Sequence, residues 1–179
     1  MKIQHAKAKQ GISTKDELGS SEVRILTAAQ NDLAEILALQ KLAYRENVIR
    51  YNDENIPPMI ETLDEMTEQF KIYTFLKAVV DGEIIGSVRG CMQDGFAYIE
   101  RLIVHPDKQN QGIGRKLMAA IEQKFDTPVF RLFTGHLDDK NISLYSKLGY
   151  VIYGEKVQIT PTLFFVNMEK INKNPNFTI

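Results

Sequence analysis

The sequence predicts a single α+β domain built on a mixed, mostly antiparallel sheet of about seven strands, with helices on both faces. Three observations carry this. Asp81-Gly82 and Asp94-Gly95 each join two β-rich runs, and such dipeptides close two-residue hairpins, so residues 73–80, 83–92 and 96–104 form three antiparallel strands. Ile113, Leu117, Ile121 and Phe125 step by four, the stripe of a helix lying on a sheet. That helix separates residues 96–104 from the β-rich run 129–134, so these two strands are parallel neighbours in a right-handed crossover.

Taken in order, residues 1–21 are polar, with Lys2, Lys7, Lys9 and Lys15 and no apolar period, and read as a flexible leader. The domain spans residues 22–171. A first strand at 22–27 precedes a helix that Asn31 or Asp32 can cap and that carries Leu33, Ile36, Leu37 and Leu42. The stretch 45–58 is mostly polar and ends in Pro57-Pro58, which opens a second helix bearing Ile60, Leu63, Met66, Thr67 and Phe70. After the strand at 129–134, a last helix over 140–148 is closed by Gly149, suited to a left-handed cap. Runs 151–158 and 162–170, with Pro161 between them, finish an antiparallel ribbon. Residues 172–179 read as a loose tail.

Composition limits the function classes. At 179 residues, 44% hydrophobic and 25% charged, the chain can bury one substantial core. The 22 basic and 23 acidic residues leave a formal charge of -1, so no overall field recruits nucleic acid or a membrane surface. An anion must be bound locally. Cys91 is the single cysteine, which excludes an internal disulfide and fits a reducing compartment, where its role is packing. No apolar run is long enough to cross a bilayer, and the first residues lack a signal-peptide core, so a cytoplasmic location is expected. His5, His105 and His136 have no metal-ligand spacing, and no metal is expected.

The chemistry concentrates in residues 98–117. A β-rich run stops at Pro106, a polar loop follows, and a helix opens on Gly112 and Gly114, so the unpaired N–H groups of its first turn converge on an anion. A Walker loop requires Lys then Ser or Thr after its last glycine, whereas Gly114 is followed by Arg115-Lys116-Leu117. A dinucleotide fingerprint requires a third glycine and a repeated parallel unit, whereas hairpins precede this turn. What remains is Gln109-Asn110-Gln111-Gly112-Ile113-Gly114, of the form Q/R-x-x-G-x-G/A, preceded by Leu-Ile-Val-His-Pro at 102–106.

With these residues the sequence resembles the GNAT superfamily of N-acetyltransferases, whose acetyl-CoA loop has this form. Leu144-Tyr145-Ser146-Lys147-Leu148-Gly149-Tyr150 resembles the family's second signature, and the element order over residues 22–170 matches as well. The resemblance implies a parallel central pair splayed at the acetyl-CoA site. Pantetheine would pair with the backbone of Leu102, Ile103 and Val104, and pyrophosphate would sit on N–H groups from Asn110 to Arg115, next to Gln109.

Acetyl transfer from a thioester to an amine requires a neutral amine, a polarised carbonyl and a proton for the departing thiolate. Tyr145 matches the family's general acid; an amphipathic core tyrosine is the bland alternative. Glu100, read as sharing the strand face of Leu102 and Val104, occupies the place of a carboxylate general base; an ion pair with Arg101 or a neighbouring strand is the other reading. Asn141, one turn before Tyr145, is a candidate cofactor contact, although many relatives place asparagine where this chain has Asp138.

The acceptor side implied by the fold is 44–59, with the hairpin around Gln93 and Asp94 opposite. Asp53, Glu54, Glu61 and Asp94 would suit a cationic small-molecule amine such as a polyamine or aminoglycoside. A protein or peptide amine, and a non-catalytic acetyl-CoA sensor, stay open as alternatives. The apolar run Leu163-Phe164-Phe165-Val166 suits either a homodimer contact or a fully buried central strand.

Overall fold

The computed structural model describes residues 22–172. At its centre, strands β2 (Thr74–Val80), β3 (Glu83–Gln93) and β4 (Phe96–Val104) form the antiparallel meander, with β1 (Arg24–Thr27) on the outer edge of β2. Both Asp-Gly turns have positive φ at each residue, 52° and 90° at Asp81-Gly82 and 51° and 82° at Asp94-Gly95. That is the conformation whose twist matches the flanking strands. β5 (Val129–Gly135) runs parallel to β4, and β8 (Phe164–Ile171) pairs antiparallel with β5. The run expected as one strand over 151–158 is two short ones, β6 (Val151–Ile152) and β7 (Val157–Gln158), both on the far side of β8. Gly154, at φ 65°, lies in the break. Among the described residues the sheet therefore has eight strands, in the order β1-β2-β3-β4-β5-β8-β6 with β7 also on β8. β8 lies inside it, between β5 and the short β6; of the run 163–166, Leu163 and Val166 are buried while Phe164 and Phe165 are half-buried.

One face is covered by α5 (Ile113–Glu122) and α6 (Asp139–Lys147). α5 buries Ile113, Leu117, Met118 and Ile121 against Ala78, Val88, Ile99 and Phe130 of the sheet. Burial of side chains this size contributes roughly 1.5–3 kcal/mol each. The opposite face carries α1 (Leu33–Ala43) and α4 (Leu63–Phe70), whose Leu33, Ile36, Leu39 and Met66 pack on Phe75, Val79, Ile84 and Ile103.

Two expectations about this second layer are corrected. The polar stretch after α1 contains a helix, α2 (Arg45–Tyr51), which seats Tyr51 in a small cluster with Ile56 and Leu163. The helix expected to run from Pro57 to Phe70 is broken: α3 (Pro57–Ile60) stops, and α4 restarts on a capping box in which the Thr62 hydroxyl accepts from the Glu65 N–H and Glu65 Oε2 accepts from the Thr62 N–H. Ile60 and Leu63, assigned to its inner face, are 56% and 43% exposed. The break frees Glu61 to turn inward, where it is buried. The leader at 1–21 and the tail beyond residue 172 lie outside the described residues.

Candidate active site

β4 and β5 pair only at Ala97 with Phe130, Tyr98 with Arg131 and Ile99 with Leu132. Beyond that rung both strands continue, β4 to Val104 and β5 to Gly135, without pairing to each other. The divergence coincides with a bulge. Ser87 faces Ile103 and Arg89 faces Glu100, so Val88 alone opposes the two residues Arg101 and Leu102, and Arg101 has φ 52°. A bulge of this kind bends its strand and re-aims its side chains. On one edge Ile103 and Val104 still pair with β3, whereas the edge toward β5 is open.

The loop that follows closes on itself at one end. Gln109 Nε2 donates to the Val104 carbonyl at 3.5 Å, and the His105 side chain accepts from the Asp107 N–H at 3.3 Å. Gly112 takes φ 78° and opens α5, with Lys116 N donating to its carbonyl as the first helical bond. Among the described residues no side chain caps this helix end. Among the described residues, the N–H groups of Asn110 through Arg115 find no protein acceptor. Six consecutive free donors at a helix N-terminus form an anion cradle. A Cβ at 112 would meet open space, so that glycine is required by its backbone angle. At 114 a Cβ would make ordinary contacts of 3.6–3.9 Å with Leu144, Leu102 and Val104, so alanine fits there too.

A cavity of about 470 Å³ runs from this cradle to the open edge of β4. Leu102, Ile103, Val104, Gln109, Asn110, Gly112, Ile113, Gly114, Arg115 and Asn141 all line it. Gln111 does not; its amide donates to the Asp107 carbonyl at 3.5 Å on the surface. Arg50, Lys108, Arg115, Lys140 and Lys147 line the cavity against only Glu46 and Asp138, so it is locally basic in a chain of net charge -1.

Between the splayed strands a second cavity of about 50 Å³ shares Tyr44, Asn47, Leu102, Asp138 and Asn141 with the first. Its remaining wall is chiefly aromatic and apolar, from Tyr51, Phe133, Tyr145, Leu163 and Phe165, with Arg101 as its basic residue. Phe133 and Phe165 stack at 4.4 Å. Tyr145 is 6% exposed, and its ring meets that of Tyr150 edge-on at 6.0 Å. Its hydroxyl has no protein hydrogen bond among the described residues. Burial first, then Tyr44 and Asp138, hold its pKa above the ordinary phenol value, so it stays protonated.

Asp138 ties the neck between the cavities. It caps α6 by accepting from the Asn141 N–H at 3.3 Å, and its Oδ2 accepts from Asn141 Nδ2 at 2.9 Å and Asn47 Nδ2 at 3.3 Å. Arg50 lies 3.6 Å away. Asn47 and Arg50 belong to α2, the helix that sequence patterning missed; the Glu46 and Arg50 pair at helical spacing, 3.9 Å apart, was its one sequence signal. Tyr51, also on α2, accepts from the Leu137 N–H at 3.0 Å, and His136 packs on its ring at 5.7 Å. His136 also accepts from the Phe164 N–H and lines neither cavity.

Glu100 is not where the sequence placed it. The bulge switches faces, so Leu102 and Val104 join Ile99 on the α5 side while Ile103 packs on the α1 side. Glu100 points to the α1 side, accepts from Arg89 Nε at 2.7 Å, and lines neither cavity. Arg89, 1% exposed, also donates to Glu61 Oε1 at 2.7 Å; Glu61 Oε2 accepts from Gln40 at 2.7 Å and Arg101 Nε at 3.4 Å. Burial alone would raise the Glu61 pKa, but the Gln40 hydrogen bond, Arg89 and Arg101 outweigh it and leave the value below the ordinary one. The acidic acceptor wall is corrected as well. Glu61 is neutralised in this network, Asp53 and Glu54 line neither cavity, and Asp94 lies at the opposite end of β4 from the splay.

The sequence pattern of the Acetyltransferase (GNAT) family matches residues 33–150. The chain belongs to this family. This GNAT chain is 40% identical over 81 residues to an acetyltransferase of Pectobacterium atrosepticum, a match covering 42% of this chain and 56% of the relative. It spans about half the length of the curated relatives it matches first. Among solved structures, the GNAT fold is shared with the PaiA N-acetyltransferase of Thermoplasma acidophilum in complex with coenzyme A. That likeness has a TM-score of 0.70 and 20% identity over 84% of this chain and 99% of the other. The ribosomal-protein-S18-alanine N-acetyltransferase of Escherichia coli superposes at TM-score 0.68 with 16% identity, covering 88% of this chain and all of the other, 100%. At these identities the likeness is one of fold.

Proposed function

We propose that this chain is an acetyl-CoA-dependent N-acetyltransferase that acts on a primary amine of a compact molecule. The observation that carries the reading is the open edge of β4, which meets the six-donor cradle at one end and the Tyr145 cavity at the other. One ligand with a diphosphate, an extended amide arm and a thioester tip matches that succession. The cradle and Arg115 take the phosphates, the Leu102–Val104 backbone takes the arm, and the thioester enters the neck beside Asn141.

In the transfer the acceptor nitrogen attacks the thioester carbonyl carbon, a C–N bond forms and the C–S bond breaks. The sulfur receives a proton from the Tyr145 hydroxyl, and the nitrogen loses one to water in the connected cavity, from which Tyr145 is reprotonated. Glu100 takes no part in this scheme and serves to hold Arg89. The small, largely aromatic cavity supports a compact acceptor over a polycation, and over a peptide laid in an open groove. A panel of amines assayed for free-thiol release from acetyl-CoA tests the reading. Release with small amines is expected; tight acetyl-CoA binding with no release from any amine, peptides included, would instead make the chain a sensor.

A further inference from the structure

Arg101 is the one described residue with a positive φ that is neither glycine nor a short polar type. Among the described residues, the other non-glycine positions with positive φ are Asn52, Asp81, Asp94 and Asn110, all of the short polar types that tolerate the left-handed region. An arginine there costs on the order of 1 kcal/mol. The bulge that imposes this angle stands where β4 leaves β5, and it sends the Arg101 side chain into the wall of the 50 Å³ cavity. The side chain is 13% exposed, and the protein uses only one of its donor nitrogens, Nε, which reaches Glu61 Oε2 at 3.4 Å. Among the described residues neither Nη has an acceptor. Glu61 is pulled to the other side by Arg89 and Gln40, and the cavity's own carboxylate, Asp138, is taken up by Asn141, Asn47 and Arg50.

We propose that Arg101 is the acceptor-binding residue for a carboxylate, and that the acceptor is therefore a small amino carboxylate. The four Nη protons form the planar fork that a carboxylate meets bidentately, and the aromatic lining lowers the local polarity, which strengthens the contact. A polyamine would bring a second cation against this guanidinium. This inference rests on the acetyltransferase reading for its choice of acceptor, while the carboxylate site itself is measurable without turnover.

The experiment compares matched pairs: glycine with methylamine, alanine with ethylamine, and phenylalanine with phenethylamine. Thiol release from acetyl-CoA is corrected for the fraction of neutral amine. The carboxylate member of at least one pair is expected to have a kcat/KM about tenfold or more higher, the size of a charge-assisted hydrogen-bond pair. In Arg101→Gln that ratio is expected to fall to within about threefold of unity through KM, with Arg101→Lys between the two. Equal use of both members, or a ratio that survives in Arg101→Gln, would overturn the proposal. A second arm measures N-acetylglycine binding to the coenzyme A complex by calorimetry. Binding weakened about tenfold or more in Arg101→Lys, whose charge is kept, supports the fork. No binding to the wild-type complex counts against it. If no amine releases thiol, the acetyltransferase reading fails and the calorimetric arm alone decides the site.

Discussion

Arg89 Nε donates to Glu100 Oε1 at 2.7 Å across a rung of the β3–β4 ladder, on the face turned away from the α5 side of the sheet. Glu100→Gln is therefore expected to leave the acid side of the rate-versus-pH profile unchanged. It should lower stability by about 1–3 kcal/mol, because a buried guanidinium loses a charged partner. Denaturant unfolding read beside the pH profile checks this; a profile displaced with stability intact would restore Glu100 as the base.

Tyr145→Phe keeps the edge-on packing with Tyr150 and removes only a hydroxyl that has no protein partner among the described residues. Turnover is expected to fall roughly 10²-fold or more, as for loss of a general acid, with acetyl-CoA affinity nearly constant. Because its pKa is raised, the wild-type rate should show no loss on the alkaline side from this group below pH ~10. Single-turnover rates with separate binding isotherms distinguish a proton donor from a packing residue.

Glu61 predicts the acid behaviour of the fold. Its folded pKa lies below the ordinary glutamate value, so the stability it contributes is present above pH ~4.3 and is lost as pH falls through the folded value. Glu61→Gln should cost about 3–5 kcal/mol at neutral pH, because Arg89 and Arg101 lose their shared partner. Below pH ~4 its stability should fall less steeply than that of the wild type. Parallel slopes in urea midpoints from pH 7 to 3 would show that the network does not titrate.

Arg115 is exposed at the first turn of α5 and lines the basic cavity. Arg115→Ala should weaken acetyl-CoA binding by about fivefold at low salt and by less at high salt, with kcat unchanged. Gly112→Ala should have little steric effect on the cavity, since its Cβ meets nothing, but should destabilise the turn by about 1 kcal/mol through its φ of 78°. Calorimetry at two ionic strengths and thermal unfolding separate the two effects.

The parts of the fold legible in the sequence are those where a residue type is tied to one backbone state. Asp81-Gly82, Asp94-Gly95 and Gly149 announce positive φ, and the step of four from Ile113 announces the face of α5. The missed features are those that tertiary contacts impose. Arg carries no preference for a left-handed bulge, so the switch of faces at Arg101 leaves no mark in the sequence, and simple alternation puts Glu100 on the wrong side. α2 is short and offers little apolar period beyond Val48 and Tyr51. The Thr62 to Glu65 capping box was present in the sequence, but the proline pair ahead of it already supplied a helix start. The glycine-turn wall of the basic cavity is thus readable from one contiguous loop, whereas the wall of the small cavity is assembled from α2, the bulge and the end of β5.

The rung at Ile99 and Leu132 leaves an unfinished seam inside the sheet. A free strand edge on a protein's periphery is open to any passing chain, but this one lines a cavity walled also by α2, the 108–115 loop and α6. Whatever fills it also completes the sheet. Melting temperature should then rise with ligand concentration, by about 2.7 kcal/mol of added stability at a hundredfold excess over Kd.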